Sequence, residues 1–204
     1  MVVPSPTCQR KGTALTDKAA LRVELRQRRL AHEAQIPAAM RALLFHRPPA
    51  KLLALVPEAA VVGVYYPVAG EASPLAYARW LAERGNPVAL PWFAARGAAM
   101  QFKLWDNPFE QTGLVPDPYG AMQPEASAQL AQIDVAIVPV LGFTAQGQRL
   151  GQGGGHYDRY LAANPHVIPI GLAWDCQLAS DLPAEPHDVP LRAVITPTRY
   201  YGPF

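Results

Sequence analysis

Gly151, Gly153, Gly154 and Gly155 crowd into five residues, after an apolar run ending at Phe143 and before a helix-forming stretch, His156 to Leu161. Glycine removes the side chain where a backbone must approach a ligand, and successive N–H groups at a helix N-terminus form an anion site. Arg149 precedes the glycines and can balance negative charge, and Tyr157 can pack or donate a hydrogen bond. Asp158 falls in the first helical turn, where a carboxylate can hold a divalent cation against phosphate oxygens. The spacing reads as a phosphate loop for a magnesium nucleotide. It lacks the G-x-x-x-x-G-K-[ST] spacing of a Walker loop, and a glycine run can also be a bare turn. The strand before, the helix after and the interleaved Arg, Tyr and Asp favour the phosphate reading.

Other chemistry-bearing residues lie far away in the chain. Lys18, Arg22, Arg26 and Arg29 recur at helical spacing along a stretch, Asp17 to Gln35, that reads as a helix capped by Thr16 or Asp17 and stopped by Pro37. Taken alone, such a stripe is a solvated basic face. Glu71 stands in the loop Pro67 to Ser73, beyond the carboxyl end of an apolar strand Ala60 to Tyr66, where open α/β sheets place ligands. Tyr119 lies in a Pro- and Gly-rich stretch, Pro108 to Pro124, that reads as a long loop of the kind that forms lids or binding segments. His187 and Asp188 form an ordinary loop dipeptide. His32, His46 and His166 have no metal-ligand spacing.

The segment R-L-G-Q-G-G-G-H-Y-D-R, preceded by V-P-V-L-G-F and G-Q-R-L, resembles the signature of the 5-formyltetrahydrofolate cyclo-ligase (5,10-methenyltetrahydrofolate synthetase) family. The likeness spreads from about Lys18 to Thr196. It implies ATP-dependent cyclisation of 5-formyltetrahydrofolate to 5,10-methenyltetrahydrofolate, with ADP and phosphate as products and magnesium as cofactor. The K-A-A-L-R of the first helix matches a family segment that binds ATP phosphates, which carries over Lys18 and Arg22 but neither Arg26 nor Arg29. The long motif adds Arg149, Leu150, Gly151, Gln152, Gly153, Gly154, Gly155, His156 and Tyr157 as ATP-binding residues, with Gly154 and His156 also touching the folate. A Y-x-P-x-x-x-E-like segment implies Glu71 and Tyr66 as substrate contacts. A G-x-P-[EQ]-P-like run implies Tyr119, a candidate for stacking on the pterin ring. P-A-E-P-H-D-V-P-L implies Asp188 as the partner of Asp158 at the metal. Relatives commonly have Asp where Thr144 stands. Thr144 reads as a turn residue whose hydroxyl can accept the same backbone hydrogen bonds more weakly.

These residues must be positioned by a scaffold. The 204 residues, half of them hydrophobic, suit one core, so residues 14–204 are expected to form one α/β domain after a flexible leader, residues 1–13. Strands at Pro87 to Pro91, Ile133 to Phe143, Val167 to Leu172 and Ala193 to Thr196 alternate with helices at Pro74 to Arg84 and His156 to Leu161. Ala98 to Leu104 reads as an antiparallel edge strand, in which Met100 and Phe102 are core or the floor of a pocket. A further helical stretch, Ala38 to Leu55, is broken by Pro48 and Pro49. The alternation predicts a single doubly wound, mainly parallel sheet flanked by helices, and the resemblance implies the NagB/RpiA/CoA-transferase-like form of it. A net charge of +2 argues against a nucleic-acid partner. No apolar run is long enough for a membrane span, and Cys8 and Cys176 alone support no disulfide framework, so a cytoplasmic monomer acting on small molecules is expected. A related ligase or kinase, a non-catalytic binding module and a purely structural domain are the competing readings.

Overall fold

The computed structural model describes residues 14–204, and the leader expected at residues 1–13 lies outside the described residues. Helix α1, Ala14–Gln35, already includes both expected caps, Thr16 and Asp17, so neither is the cap. Pro48 and Pro49 divide the next stretch into α2 (Ala38–Leu43) and α3 (Ala50–Leu53). Strand β1 is only Val62–Gly63, shorter than the apolar run around it. The Val64 N–H still donates to Ala89 O at 2.9 Å, after which Tyr65 and Tyr66 turn to line a cleft. Helix α4 is Leu75–Glu83 with Pro74 as its cap, one residue inside the expected bounds at each end.

Strands β2 (Val88–Trp92) and β3 (Gln101–Leu104) form the expected antiparallel edge. The stretch read as a structureless loop instead holds a hairpin, β4 (Leu114–Pro116) with β5 (Met122–Pro124). Each strand is three residues long and ends on a proline, Pro116 or Pro124, so no alternation marks it. The single strand expected over Ile133 to Phe143 is two, β6 (Val135–Pro139) and β7 (Gly142–Phe143), because Pro139 has no N–H with which to continue the ladder. β7 pairs with β8 (Arg149–Leu150) as a separate small hairpin. Helix α5 (His156–Ala163), β9 (Ile168–Leu172), β10 (Ala193–Ile195) and β11 (Tyr200–Tyr201) complete the chain.

The main sheet has the order β11-β10-β9-β6-β1-β2-β3, parallel from β10 to β2 and antiparallel at both edges. Its central strands are buried on both faces. Val135 and Ile137 pack with Tyr77, Ala78 and Leu81 of α4, while Ala136 and Val138 pack with Leu161 of α5. That double burial is why these strands read as continuous apolar runs. Each fully buried Leu on the two helices contributes about 1.5–3 kcal/mol. Gly63 has no room for a side chain, since a Cβ there would lie 2.7 Å from both Ile133 and Phe102. From β1 the chain crosses through α4 to β2 on one side, and from β6 through α5 to β9 on the other. The winding direction therefore reverses between β1 and β6, and a crevice opens beyond the carboxyl ends of these neighbours. No helix among the described residues is long and apolar enough to cross a membrane.

Candidate functional site

That crevice holds a cleft of about 780 Å³, a size suited to small-molecule ligands. One wall is the glycine loop with the start of α5. Another is the loop after β1, and α1 closes the side.

The glycine loop is delivered by the β7–β8 hairpin. Thr144, fully buried, accepts hydrogen bonds through Oγ1 from Gln146 N (3.3 Å) and Gln148 N (3.2 Å), which is the turn role expected of it. Arg149 emerges from this turn buried, and donates to Val189 O and Asp158 Oδ1. Burial pushes its guanidinium pKa down, while Asp158 and Asp188 act in the opposite direction; an arginine stays charged through such a shift. After Leu150 the backbone opens. Among the described residues no N–H of Gly151 to Gly155 finds an acceptor. Gly153 (φ 106°) and Gly155 (φ 62°, the N-cap of α5) hold left-handed conformations that other residues resist. Gly154 leaves room for the His156 ring, whose Cδ2 would lie 2.7 Å from a Cβ. Free amides around a helix N-terminus, backed by a buried Arg, attract an anion.

The basic stripe of α1 is not a solvated face. All four residues line the cleft, and Lys18 and Arg29 are buried. Lys18 Nζ pairs with Asp188 Oδ2 (3.0 Å) and Glu185 Oε2 (3.1 Å). Arg22 Nε donates to Gly151 O (3.1 Å), and Arg26 donates to Gln152 Oε1 (2.9 Å). Arg29, which no motif singles out, pairs with Glu71 Oε1 at 3.3 Å and donates to Ala69 O at 3.3 Å. Nothing in a periodic stripe says which of its members is buried.

Glu71 is buried as well, and not the solvated loop residue that an isolated glutamate suggests. Its Oε2 accepts from Val68 N (3.1 Å), and its Oε1 accepts from Arg29 and from Gln152 Nε2 (3.3 Å). Burial raises its pKa; Arg29, the Val68 N–H and Gln152 oppose the rise without cancelling it. Trp174 Nε1 donates to Gly70 O at 2.9 Å and holds the loop against β9's end.

Three rings form an aromatic corner. Phe93, Tyr119 and His156 lie with all three pairs of centroids 4.9 Å apart. Tyr119 projects from the β4–β5 hairpin, and its hydroxyl accepts from Gly97 N (2.9 Å). Burial and the neighbouring Arg159 lower the His156 pKa, which favours the neutral ring. Phe93 has no place in the motifs; the aromatic pair Trp92–Phe93 at the carboxyl end of β2 is the signal that could have found it. Met100 serves both expected roles, since it is packed in the core and also lines the cleft, whereas Phe102 belongs to the core. Tyr66 lines the cleft and accepts from Gln111 Nε2 at 2.6 Å. The Tyr157 hydroxyl is buried without a partner among the described residues, with Glu71 and Arg149 as its charged neighbours. An orphan donor beside a cleft is a group left for a ligand.

Carboxylates gather opposite the glycine loop. Glu185, His187 and Asp188 offer ligand atoms within 4.8 Å of one another. Asp158 is tied to the same segment, because Val189 N donates to its Oδ1 at 3.3 Å. Hydrogen bonding from the Glu185 N–H and Lys18 holds the Asp188 pKa below the usual value in spite of partial burial. These hard oxygens fit a magnesium ion that takes few protein ligands and completes its shell with phosphate and water. Glu185 and His187 precede Asp188 within the same P-A-E-P-H-D-V-P-L segment, from which the resemblance singles out Asp188 alone.

A profile of the 5-formyltetrahydrofolate cyclo-ligase family matches residues 14–197. The 5-formyltetrahydrofolate cyclo-ligase of Escherichia coli K12 is 49% identical over 74 residues, 35% of this chain and 41% of that protein. The Haemophilus influenzae protein of the same name is 32% identical over 136 residues (64% and 72%), and that of Mycolicibacterium smegmatis 34% over 145 residues (68% and 74%). The match thus spans less than half of the Escherichia coli protein's length and more than two thirds of the other two. Among solved structures, the Aquifex aeolicus 5,10-methenyltetrahydrofolate synthetase superposes with a TM-score of 0.72 over 91% of this chain and 92% of that one, at 23% identity. The Mycoplasma pneumoniae synthetase gives 0.62 over 88% and 98%, also at 23% identity. At that identity the likeness is one of fold.

Proposed function

The chain belongs to the 5-formyltetrahydrofolate cyclo-ligase family, and from that premise we propose that it closes 5-formyltetrahydrofolate to 5,10-methenyltetrahydrofolate at the expense of ATP. The observation that carries the reading is one cleft holding both halves of the chemistry: a cradle of free amides, and with it the buried Glu71 and an aromatic corner. A phosphate site alone would serve any kinase. A second, partly apolar compartment beside it suits a flat heteroaromatic co-substrate.

The formyl oxygen is a poor leaving group until it is phosphorylated. It attacks the γ-phosphorus of ATP, ADP departs, N10 then adds to the activated carbon and gives up its proton to solvent, and phosphate leaves. The protein's share is positioning and charge neutralisation. The Gly151 to Gly155 amides hold phosphate oxygens, and Lys18, Arg22 and Arg149 neutralise them. Tyr157 donates its orphan hydroxyl between the two compartments. Glu71 orients the pterin, with Tyr66 beside it and Tyr119 against the ring face. Phe93, Tyr119 and His156 keep water from the phosphorylated intermediate, which hydrolysis would waste. Asp158 and Asp188 would hold magnesium, whose charge stabilises the phosphate oxygens when it is bound.

The test is direct. Purified protein with MgATP and 5-formyltetrahydrofolate should develop the absorbance of the conjugated methenyl product, one ADP per product. ATP hydrolysis that 5-formyltetrahydrofolate does not stimulate, with no methenyl product, would overturn the reading.

A further inference from the structure

One side chain bridges the glycine loop and the loop after β1 by hydrogen bonds. Gln152 sits in the glycine loop between Gly151 and Gly153, and its amide reaches across to the loop after β1. Its two ends have fixed assignments. Arg26 can only donate, so the oxygen faces Arg26 (2.9 Å); the Glu71 carboxylate can only accept, so the NH₂ faces Glu71 (3.3 Å). The chain then continues from Glu71 to Arg29 (3.3 Å) and returns to the same helix as Arg26. Arg26, Gln152, Glu71 and Arg29 thus close a ring through α1, the phosphate cradle and the pterin-facing carboxylate.

Both bonds to Glu71 Oε1 are longer than the usual 2.9–3.0 Å for N–H···O. Oε1 is therefore held more loosely than Oε2, which accepts from Val68 N at 3.1 Å, and burial still outweighs these partners in setting the Glu71 pKa. Gln152 itself is exposed, as are Gly153 and Gly154 beside it. Its side chain carries rotamer freedom that must be lost before it can position a carboxylate. An anion seated on the loop amides would fix the backbone from which Gln152 springs, and so remove part of that entropy in advance.

We infer that Gln152 couples the two substrate sites: nucleotide on the glycine loop tightens the pterin ligand through Gln152 and Glu71, and the pterin ligand tightens nucleotide by the same factor. This rests on the functional reading above and adds a regulation of that site. Gln152 acts here as a positioning residue. The coupling is a property of this side chain rather than of the loop backbone, so it is separable from phosphate binding.

Titration calorimetry of 5-formyltetrahydrofolate into the protein, with and without a non-hydrolysable ATP analogue and magnesium, reads the coupling as a ratio of dissociation constants. The wild-type ratio should be about fivefold or more. In Gln152→Leu, which keeps the loop backbone, it should fall to about one, whatever the change in affinity for the ATP analogue alone. In Gln152→Glu, which sets a second carboxylate against Glu71, it should fall below one, so that bound nucleotide weakens the folate. A wild-type ratio of one, or a ratio unchanged in both variants, would overturn the coupling and leave the functional reading standing. Absence of 5-formyltetrahydrofolate binding to wild-type protein under either condition would overturn the functional reading, and the coupling with it. A melting transition measured for each variant separates loss of coupling from loss of fold.

Discussion

Asp158 meets the Arg149 guanidinium and the Val189 N–H through one oxygen and lines the cleft. Asp158→Asn keeps the shape and removes the charge. Turnover should fall by about 100-fold or more, the scale of losing one fixed electrostatic contact to a transferring group, and stability by up to about 3 kcal/mol, because the buried Arg149 loses its counter-charge. Steady-state kinetics at saturating magnesium and ATP and urea unfolding measure the two effects; unchanged turnover would remove Asp158 from the metal and phosphate chemistry. Thr144 offers the contrasting case, a departure from relatives that is local geometry. Thr144→Val strands the Gln146 and Gln148 N–H groups and should cost about 1–3 kcal/mol in urea unfolding. Thr144→Asp keeps an acceptor for both, and turnover should stay near the parent's; a large gain would mean that the parent lacks a catalytic carboxylate. Both residues were legible in the sequence, because a glycine cluster and a turn leave local signatures.

Helix α1 shows where local signatures end. Lys18, Arg22, Arg26 and Arg29 have one spacing, yet Arg29 serves Glu71 and the others serve the loops near the phosphate cradle. The motif leaves Arg29 out, yet the fold buries it against a carboxylate 42 positions away. Arg29→Ala should raise the KM for folate more than that for ATP, and Lys18→Ala should do the reverse; equal effects would reduce the stripe to a diffuse field. Stability should also depend on pH in a set direction. The Glu71 pKa is raised in the folded state, so above its ordinary value of 4.5 the native protein holds more protons than the unfolded chain. This group's contribution to stability therefore falls as pH rises through that window. Arg29→Ala removes the largest opposing influence and should extend the fall to higher pH, costing about 3–5 kcal/mol at neutral pH. Urea unfolding from about pH 5 to about pH 8 checks this, with Glu71→Gln in the Arg29→Ala background expected to flatten the extra slope. Parallel curves for the wild type and Arg29→Ala would contradict it.

At the scale of the whole molecule, the site is a consequence of the winding. Because the chain reverses direction between β1 and β6, the loops after both strands open toward the same crevice, and α1 closes its side. The parallel strands were readable as apolar runs since both faces are buried. The β4–β5 hairpin and β11 were not, because β4 and β11 bury no residue and the buried positions of β5 are Gln123 and Pro124, which carry no strand signal. Phe93, Glu185 and Arg29 reach the cleft only through the tertiary arrangement. The central claim is that the formyl oxygen and the γ-phosphoryl group meet in this cleft. It is tested most directly with 5-formyltetrahydrofolate carrying ¹⁸O in the formyl group: mass spectrometry of the inorganic phosphate released with MgATP should find the label transferred, one ¹⁸O per phosphate. Methenyl product formed with unlabelled phosphate would mean that the formyl oxygen is never phosphorylated, and would contradict the account.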